Sequence, residues 1–301
     1  MFVVTYRKIF YALSVLLVLG SIMAVSIYGL NFGIDFKGGA LLEVEYPAGR
    51  PTQTVLEKAL APLDLQATIR PTGEIGYIIR MKSLSEPERL ALVETISFNS
   101  TQKIVQKRFD SVGPTLGNES AKKSFASIAV VIIAIVLFIA FAFRKVSEPV
   151  SSWKYGIVAI VALIHDVIVP TGVFAILGHF KGYEIDSLFV TALLVVLGFS
   201  VHDTIVVFDR VRENLKINRT YGKKQTFAEI VGSSISQTFT RSINTSFTVL
   251  LSLLALYFFG GPATQHFTLA LIIGIVAGTY SSIFLGSPLL VTIEKWQSRG
   301  K

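Results

Sequence analysis

Six runs of apolar residues dominate the sequence, each close to the ~20 residues that a helix needs to cross a hydrocarbon core about 30 Å thick. They cover approximately Ile9 to Leu30, Phe125 to Phe143, Gly156 to Gly178, Ser187 to Phe208, Ser242 to Phe259 and Phe267 to Leu290. With 51% hydrophobic and only 16% charged residues in 301, the chain is too apolar for one or two soluble domains. The expected class is a polytopic α-helical membrane protein. Arg7 and Lys8 precede the first run and Ala24-Val25-Ser26 looks faintly like a cleavage site. The run is too long for the apolar part of a signal peptide, so it reads as a retained helix.

Composition removes several function classes. There is no cysteine, and the 4 histidines stand apart at 165, 179, 202 and 266, which excludes disulfide frameworks, iron–sulfur clusters, zinc ribbons and thiol catalysis. The Gly38-Gly39 pair is followed by a strand and by no Gly-Lys-Ser/Thr, so it reads as a tight turn and not a phosphate loop. Without a nucleotide site the chain has to draw on another energy source. No cofactor is expected.

Charge placement sets the topology. If six helices alternate, Arg7, Lys8, Arg144, Lys145, Lys154, the basic segment from Arg210 to Arg241, Lys295, Arg299 and Lys301 all fall on one side. That side carries a net charge of +10 and the other is balanced; Asp166 and Asp203, inside helices, bring the whole chain to +8. By the positive-inside rule both termini are cytoplasmic, and the basic balance reports contact with the lipid bilayer and no nucleic acid.

The long hydrophilic stretch 31–123 then lies outside the cytoplasm, between residues 1–30, which hold the first helix, and residues 124–301, which hold the other five. It reads as an α+β domain. Strand character appears at Leu41 to Tyr46, Leu65 to Arg70, Ile75 to Met81 and Ile104 to Val112; Pro71-Thr72-Gly73 marks a hairpin. Helical spacing occupies Pro51 to Leu63, with Pro51 in its first turn. A second helix opens at Ser85 with Glu88 as a capping box. The order β-α-β-β-α-β is that of a ferredoxin-like half-sandwich. No catalytic constellation occurs in it.

Ionisable groups inside membrane helices are the informative ones, because each costs at least ~2.5 kcal/mol at the bilayer centre. Asp166 sits in the third helix. Asp203 sits about 8 Å from the cytoplasmic end of the fourth. Arg241, at a comparable depth in the fifth, is the expected partner of Asp203, with Thr245, Thr248 and Ser252 continuing its stripe inward. A carboxylate between desolvation and a nearby cation can hold or release a proton as the cation moves. The pairs His165-Asp166 and His202-Asp203 raise the alternative of a metal site. Adjacent residues point about 100° apart on a helix, which makes proton-relaying or hydrogen-bonded histidines the better reading. Gly274 and Gly278 form a small-residue stripe for close helix packing, and Thr226 to Arg241 reads as an amphipathic helix along the cytoplasmic surface.

The segment Gly198-Phe199-Ser200-Val201-His202-Asp203-Thr204-Ile205-Val206-Val207-Phe208-Asp209-Arg210-Val211-Arg212-Glu213-Asn214 resembles the fourth-helix signature of the SecF proteins, bacterial protein-export membrane subunits. Further hallmarks of the family recur in order: Gly33-Ile34-Asp35-Phe36-Lys37-Gly38-Gly39, Val112-Gly113-Pro114, His165-Asp166, Gln237-Thr238-Phe239-Thr240-Arg241 and Gly260-Gly261-Pro262. His202 stands where the family pattern has Asn, and Lys37 where it has Thr. The resemblance implies a half-transporter of the resistance-nodulation-division type, with SecD as its other half and SecYEG and YajC as partners. It also implies a preprotein substrate and location in the bacterial inner membrane, where the ion gradient drives a late export step. Asp203 and Arg241 would then be ion-path residues, joined by Asp166, His165 and His202, with Asp35, Gly38, Gly39, Gly198, Asp209 and Arg210 as structural motif positions. The competing class is an exporter of a small solute or metal ion from the same superfamily.

Overall fold

The computed structural model describes residues 2–143, 152–222 and 224–299. Arg144, Lys145, Lys223 and Lys301 lie outside them. The chain divides into two compact units, one of Met1–Asn31 with Ala126–Lys301 and one of Phe32–Phe125.

In chain order, α1 (Phe2–Thr5) and α2 (Arg7–Tyr28) lead to α3 (Ile34–Lys37), β1 (Gly39–Glu45), α4 (Gln53–Leu60), β2 (Thr68–Thr72), β3 (Gly76–Met81), α5 (Glu86–Ile96) and β4 (Val105–Val112). The four strands form one antiparallel sheet ordered β2-β3-β1-β4. The order expected from the sequence is therefore present. Alternation along the central strands sends Ala40, Leu42 and Val44 of β1 and Tyr77, Ile79 and Met81 of β3 to one face. There they bury against Leu56 and Leu60 of α4 and Leu92 and Ile96 of α5. Ser85 and Glu88 close the capping box on α5.

Three boundaries differ from the sequence reading. The strand expected from Leu65 begins only at Thr68, because Asp64 and Gln66 adopt left-handed backbone (φ 45° and 52°) that no strand accommodates. Pro71 and Thr72 lie within β2 and not in the turn. As an edge strand, β2 tolerates a residue with no N–H to give. Pro51 likewise precedes α4, whose N-cap is Thr52.

Gly38 and Gly39 show why this turn needs two glycines. Gly38 (φ +76°) caps α3 through its N–H to the Ile34 carbonyl, and Gly39 (φ +127°) lies where a Cβ would come 2.8 Å from the Met81 carbonyl oxygen. A Cβ on Gly38 would come 2.6 Å from Pro114 Cα, and one on Gly117 would come 2.6 Å from Gly38 N. The turn is thus pressed backbone to backbone against the first turn of α6 (Pro114–Ala142).

The chain continues through α7 (Ser152–Lys181), α8 (Ser187–Thr220), α9 (Phe227–Phe259) and α10 (Pro262–Tyr280) to a six-residue π-helical turn (Ser281–Gly286) and α11 (Ser287–Arg299). With α2 and α6, these make, among the described residues, six helices long and apolar enough to cross a membrane, α10, the π turn and α11 counting as one. The protein is a multi-pass membrane protein. Helices α7, α8 and the sixth span form the enclosed centre of this unit, while α2, α6 and α9 present most of their surface outward. Close approach in the centre depends on glycines: a side chain at Gly274 would collide with Val196 of α8, and one at Gly172 with Ser21 of α2. A stack of Phe143, Tyr155 and Phe208, all at most 2% exposed, ties α7 and α8 to the chain just past α6.

The stretch expected as a surface helix from Thr226 to Arg241 is instead the first half of the 33-residue α9. Thr226 and Glu229 do form its capping box. Phe227, Ile230, Val231 and Ile235 bury against Val207, Phe208, Val211 and Leu215 of α8. The apolar stripe is satisfied by a neighbouring helix, so it has no need of lipid.

In the domain of residues 32–125, the buried Tyr46 hydroxyl donates to the Ile96 carbonyl at 3.1 Å. Burial pushes its pKa from 10.0 up to about 12. A raised folded-state pKa means that this stabilisation is complete below pH 10 and is lost as pH rises through 12. We expect Tyr46→Phe to cost about 1 kcal/mol at neutral pH. Between pH 10 and 12 the wild type should then become the less stable of the two, as read by hydrogen exchange of the β1 amides in the full chain.

Candidate functional site

The helix repeat of α8 brings Ser200, Asp203 and Thr204 to one face, and all three are buried. Four further hydroxyls, Ser234, Thr238, Ser242 and Ser246, recur every fourth residue on the buried face of α9. The first two donate back to their own helix, to the Ile230 and Ser234 carbonyls. The last two reach across: Ser242 Oγ donates to Asp203 Oδ1 at 2.5 Å, and Ser246 Oγ lies 2.6 Å from Thr279 Oγ1 of α10. Asp203 Oδ2 is buried and has no hydrogen-bond partner among the described residues.

Arg241 does not fill that gap. Arg241, Thr245, Thr248 and Ser252 are exposed, so the stripe expected to face inward is the outward one. The inward stripe starts one residue on, at Ser242. The Arg241 guanidinium makes no hydrogen bond or ion pair among the described residues. His202 is also exposed, while Asp203 beside it is 7% exposed. His165 and Asp166, by contrast, lie together: His165 Nδ1 is 3.0 Å from Asp166 Oδ1, and both residues are within 2% of full burial.

Of the motif positions, Arg210 and Asp209 make bonds near the seam of α8 and α9. Arg210 Nε donates to Gln237 Oε1 at 2.6 Å and its Nη1 pairs with Glu213 at 2.5 Å, while Asp209 pairs with Arg212 at 3.5 Å. Asn214 joins the same seam, donating to Ser234 Oγ and Gln237 Oε1 at 2.9 Å each. These bonds zip α8 to α9 beyond Asp203. Asp35 stands in the first turn of α3, and Gly198 faces open space.

Sequence reasoning missed Ser242, Ser200 and Ser281, the residues that touch the two buried carboxylates. A signal was available in the spacing of Ser234, Thr238, Ser242 and Ser246. It competed with an equally regular stripe through Arg241, and only packing decides between them.

The chain resembles known proteins over nearly its whole length. Residues 92–296 match the family described as Protein export membrane protein SecD/SecF, C-terminal, and residues 24–46 match the SecD/SecF GG motif. The SecF translocase subunit of Thermobaculum terrenum is 46% identical over 97% of this chain and 93% of its own length. The SecF subunit of Anaerolinea thermophila is 39% identical over 98% and 96%. The crystal structure of SecDF, a translocon-associated membrane protein from Thermus thermophilus, superposes with a TM-score of 0.82 at 31% identity. That match covers 98% of this chain but only 38% of the SecDF chain, so the chain spans well under half of that protein.

Leaving a buried acceptor without its donor costs about 1 to 3 kcal/mol, whereas changes at exposed positions stay within about 0.5 kcal/mol. We therefore expect Ser242→Ala to destabilise the protein in detergent by the former amount and Thr248→Ala by no more than the latter. Unfolding monitored by helix content checks both.

Proposed function

Because the chain belongs to the SecD/SecF family of protein-export membrane proteins and is a SecF-type subunit of the Sec export machinery, we propose that it couples a proton gradient to a late step of preprotein export through Asp203. The observation that carries this reading is the half-satisfied carboxylate: Oδ1 held by Ser242 and Oδ2 buried without a partner. An acid so placed is stable with a proton on Oδ2 and costly without one, unless a cation approaches. The cation in reach is Arg241 on the adjacent helix α9, whose guanidinium is uncommitted.

Arg241, Asn244, Thr245, Thr248 and Ser252 form an exposed polar face on a membrane helix, which lipid does not solvate. A second helical bundle covers it, and SecD is the half that supplies one. Arg241 then works at the seam between the halves, close enough to both to be drawn toward Asp203 or away from it as the two shift. His165, Asp166 and His202 complete the titratable set of the path. The basic ends of the helices lie in the cytoplasm with both termini, and the domain of residues 32–125 lies on the far side of the bacterial inner membrane, where exported chains emerge from the SecYEG channel with YajC alongside.

Asp203→Asn keeps the volume and the bond to Ser242 but cannot cycle a proton. We expect the variant to co-purify with SecD in mild detergent at the wild-type level, yet to lose the gradient-dependent stimulation of preprotein transport into inverted membrane vesicles. Stimulation that survives the substitution and still collapses on adding a protonophore overturns the assignment.

A further inference from the structure

Asp203 is not the most deeply enclosed acid of the membrane-spanning unit. Asp166 is 0% exposed, and its Oδ2 accepts hydrogen bonds from Ser200 Oγ of α8 at 2.5 Å and Ser281 Oγ of the π turn at 2.9 Å. Its Oδ1 faces His165 Nδ1. No Lys or Arg side chain bonds to it among the described residues, so its charge rests on two hydroxyls and one imidazole N–H. With Nδ1–H given to Asp166, the other ring nitrogen keeps a bare lone pair. That atom, His165 Nε2, is buried with no hydrogen-bond partner among the described residues.

Ser281 opens the π-helical turn Ser281–Gly286, a wide and uncommon form of helix. Its hydroxyl has two acceptors in reach, Asp166 Oδ2 at 2.9 Å and the Gly278 carbonyl of its own helix at 3.1 Å, and one proton to give. The rest of the turn is tied in the same way: Ser282 Oγ lies 2.9 Å from Thr204 Oγ1 and 3.2 Å from the Ser200 carbonyl, and Ser287 Oγ donates five residues back to Ser282. Gly278 makes room, since a Cβ there would lie 3.0 Å from Ser200 Cβ and 3.6 Å from Asp166 Oδ2.

We propose that the His165–Asp166 pair is a second proton-binding site and that its charge latches the π turn of the sixth membrane span. This deepens the gradient-coupling reading given above and rests on it for its purpose, though its geometry is independent of Asp203. With the pair carrying one negative charge, Ser200 and Ser281 both aim their protons at Asp166 Oδ2. A proton arriving at His165 Nε2 makes the pair neutral, the Nδ1 proton being shared with Oδ1. The pull on Ser281 falls, its hydroxyl turns to the Gly278 carbonyl, and the π turn loses its tie to α7. Few polar groups from the neighbouring elements face the pair. On α8 these are Ser200 and, one turn further, Asp203. On α10 it is Tyr280, stacked on His165 with ring centres 5.9 Å apart. From α2, Ser14 and the Phe10 carbonyl reach it only through Tyr280, and from α9, Ser246 is bonded to Thr279 and not to the pair.

The test is hydrogen exchange of the backbone amides of Ser282 to Ser287 in the full chain with its export partner in lipid. It runs from about pH 8 to about pH 5, the span across which imidazole titrates, and is corrected for intrinsic exchange. Protection should fall by about tenfold or more on acidification in the wild type and in Asp203→Asn, and should be low and pH-independent in Asp166→Asn. Ser281→Ala, which removes the latch but not the charge, should also be low throughout, and it decides the matter if Asp166→Asn does not fold. A pH-independent wild type, or a wild-type response kept by Asp166→Asn or Ser281→Ala, overturns the proposal. A wild-type response lost only in Asp203→Asn overturns it while leaving the role of Asp203 standing.

Discussion

Two carboxylates are held inside a membrane bundle by serine hydroxyls and one histidine ring, with no Lys or Arg bonded to either among the described residues, and the rest of the arrangement follows from how little that compensation is. A serine O–H satisfies one lone pair of a carboxylate but brings no opposite charge. Asp203 keeps one bond, to Ser242, and Asp166 keeps three, to Ser200, Ser281 and His165. A buried ion pair would fix each acid in the charged state, and a dry apolar pocket would fix it in the neutral one. Hydroxyls do neither, which is what the proton coupling proposed for these acids requires.

The packing serves this balance. Serine and threonine are small, so the helices that carry them approach closely, and the glycines at 172, 274 and 278 bring the backbones closer still. The cost is backbone regularity. The sixth span presents Thr279, Ser281 and Ser282 to three neighbours, and it widens into a π turn where those contacts converge.

Much of this was written in local patterns. The six spans, the two capping boxes and the strand order of the domain follow from runs, caps and turn residues that act over a few positions. Asp203, His165 and Asp166 announced themselves because a charge in an apolar run is conspicuous. The outward turn of Arg241 was not legible, because two stripes one residue apart on α9 are equally periodic and only the neighbouring helix selects one. The π turn was not legible either, since no residue type encodes it and it arises from the contacts of Ser281 and Ser282 with other helices. The continuity of α9 through Arg241 was hidden for a similar reason: an apolar face reads the same whether lipid or α8 is to cover it.

The lengths of α8 and α9 carry a mechanical consequence. At 34 and 33 residues they run about 50 Å, against a hydrocarbon core of about 30 Å, so some 20 Å of paired helix projects past the bilayer beyond Asp203. The bonds of Arg210 and Asn214 to Gln237 and Ser234 make that projection one stiff rod and not two loose ends. Pivoting by ~10° at the level of the acid would sweep its far tip, ~26 Å away at Thr220, through ~4 Å, turning a change at one oxygen atom into a lever stroke in the water beyond.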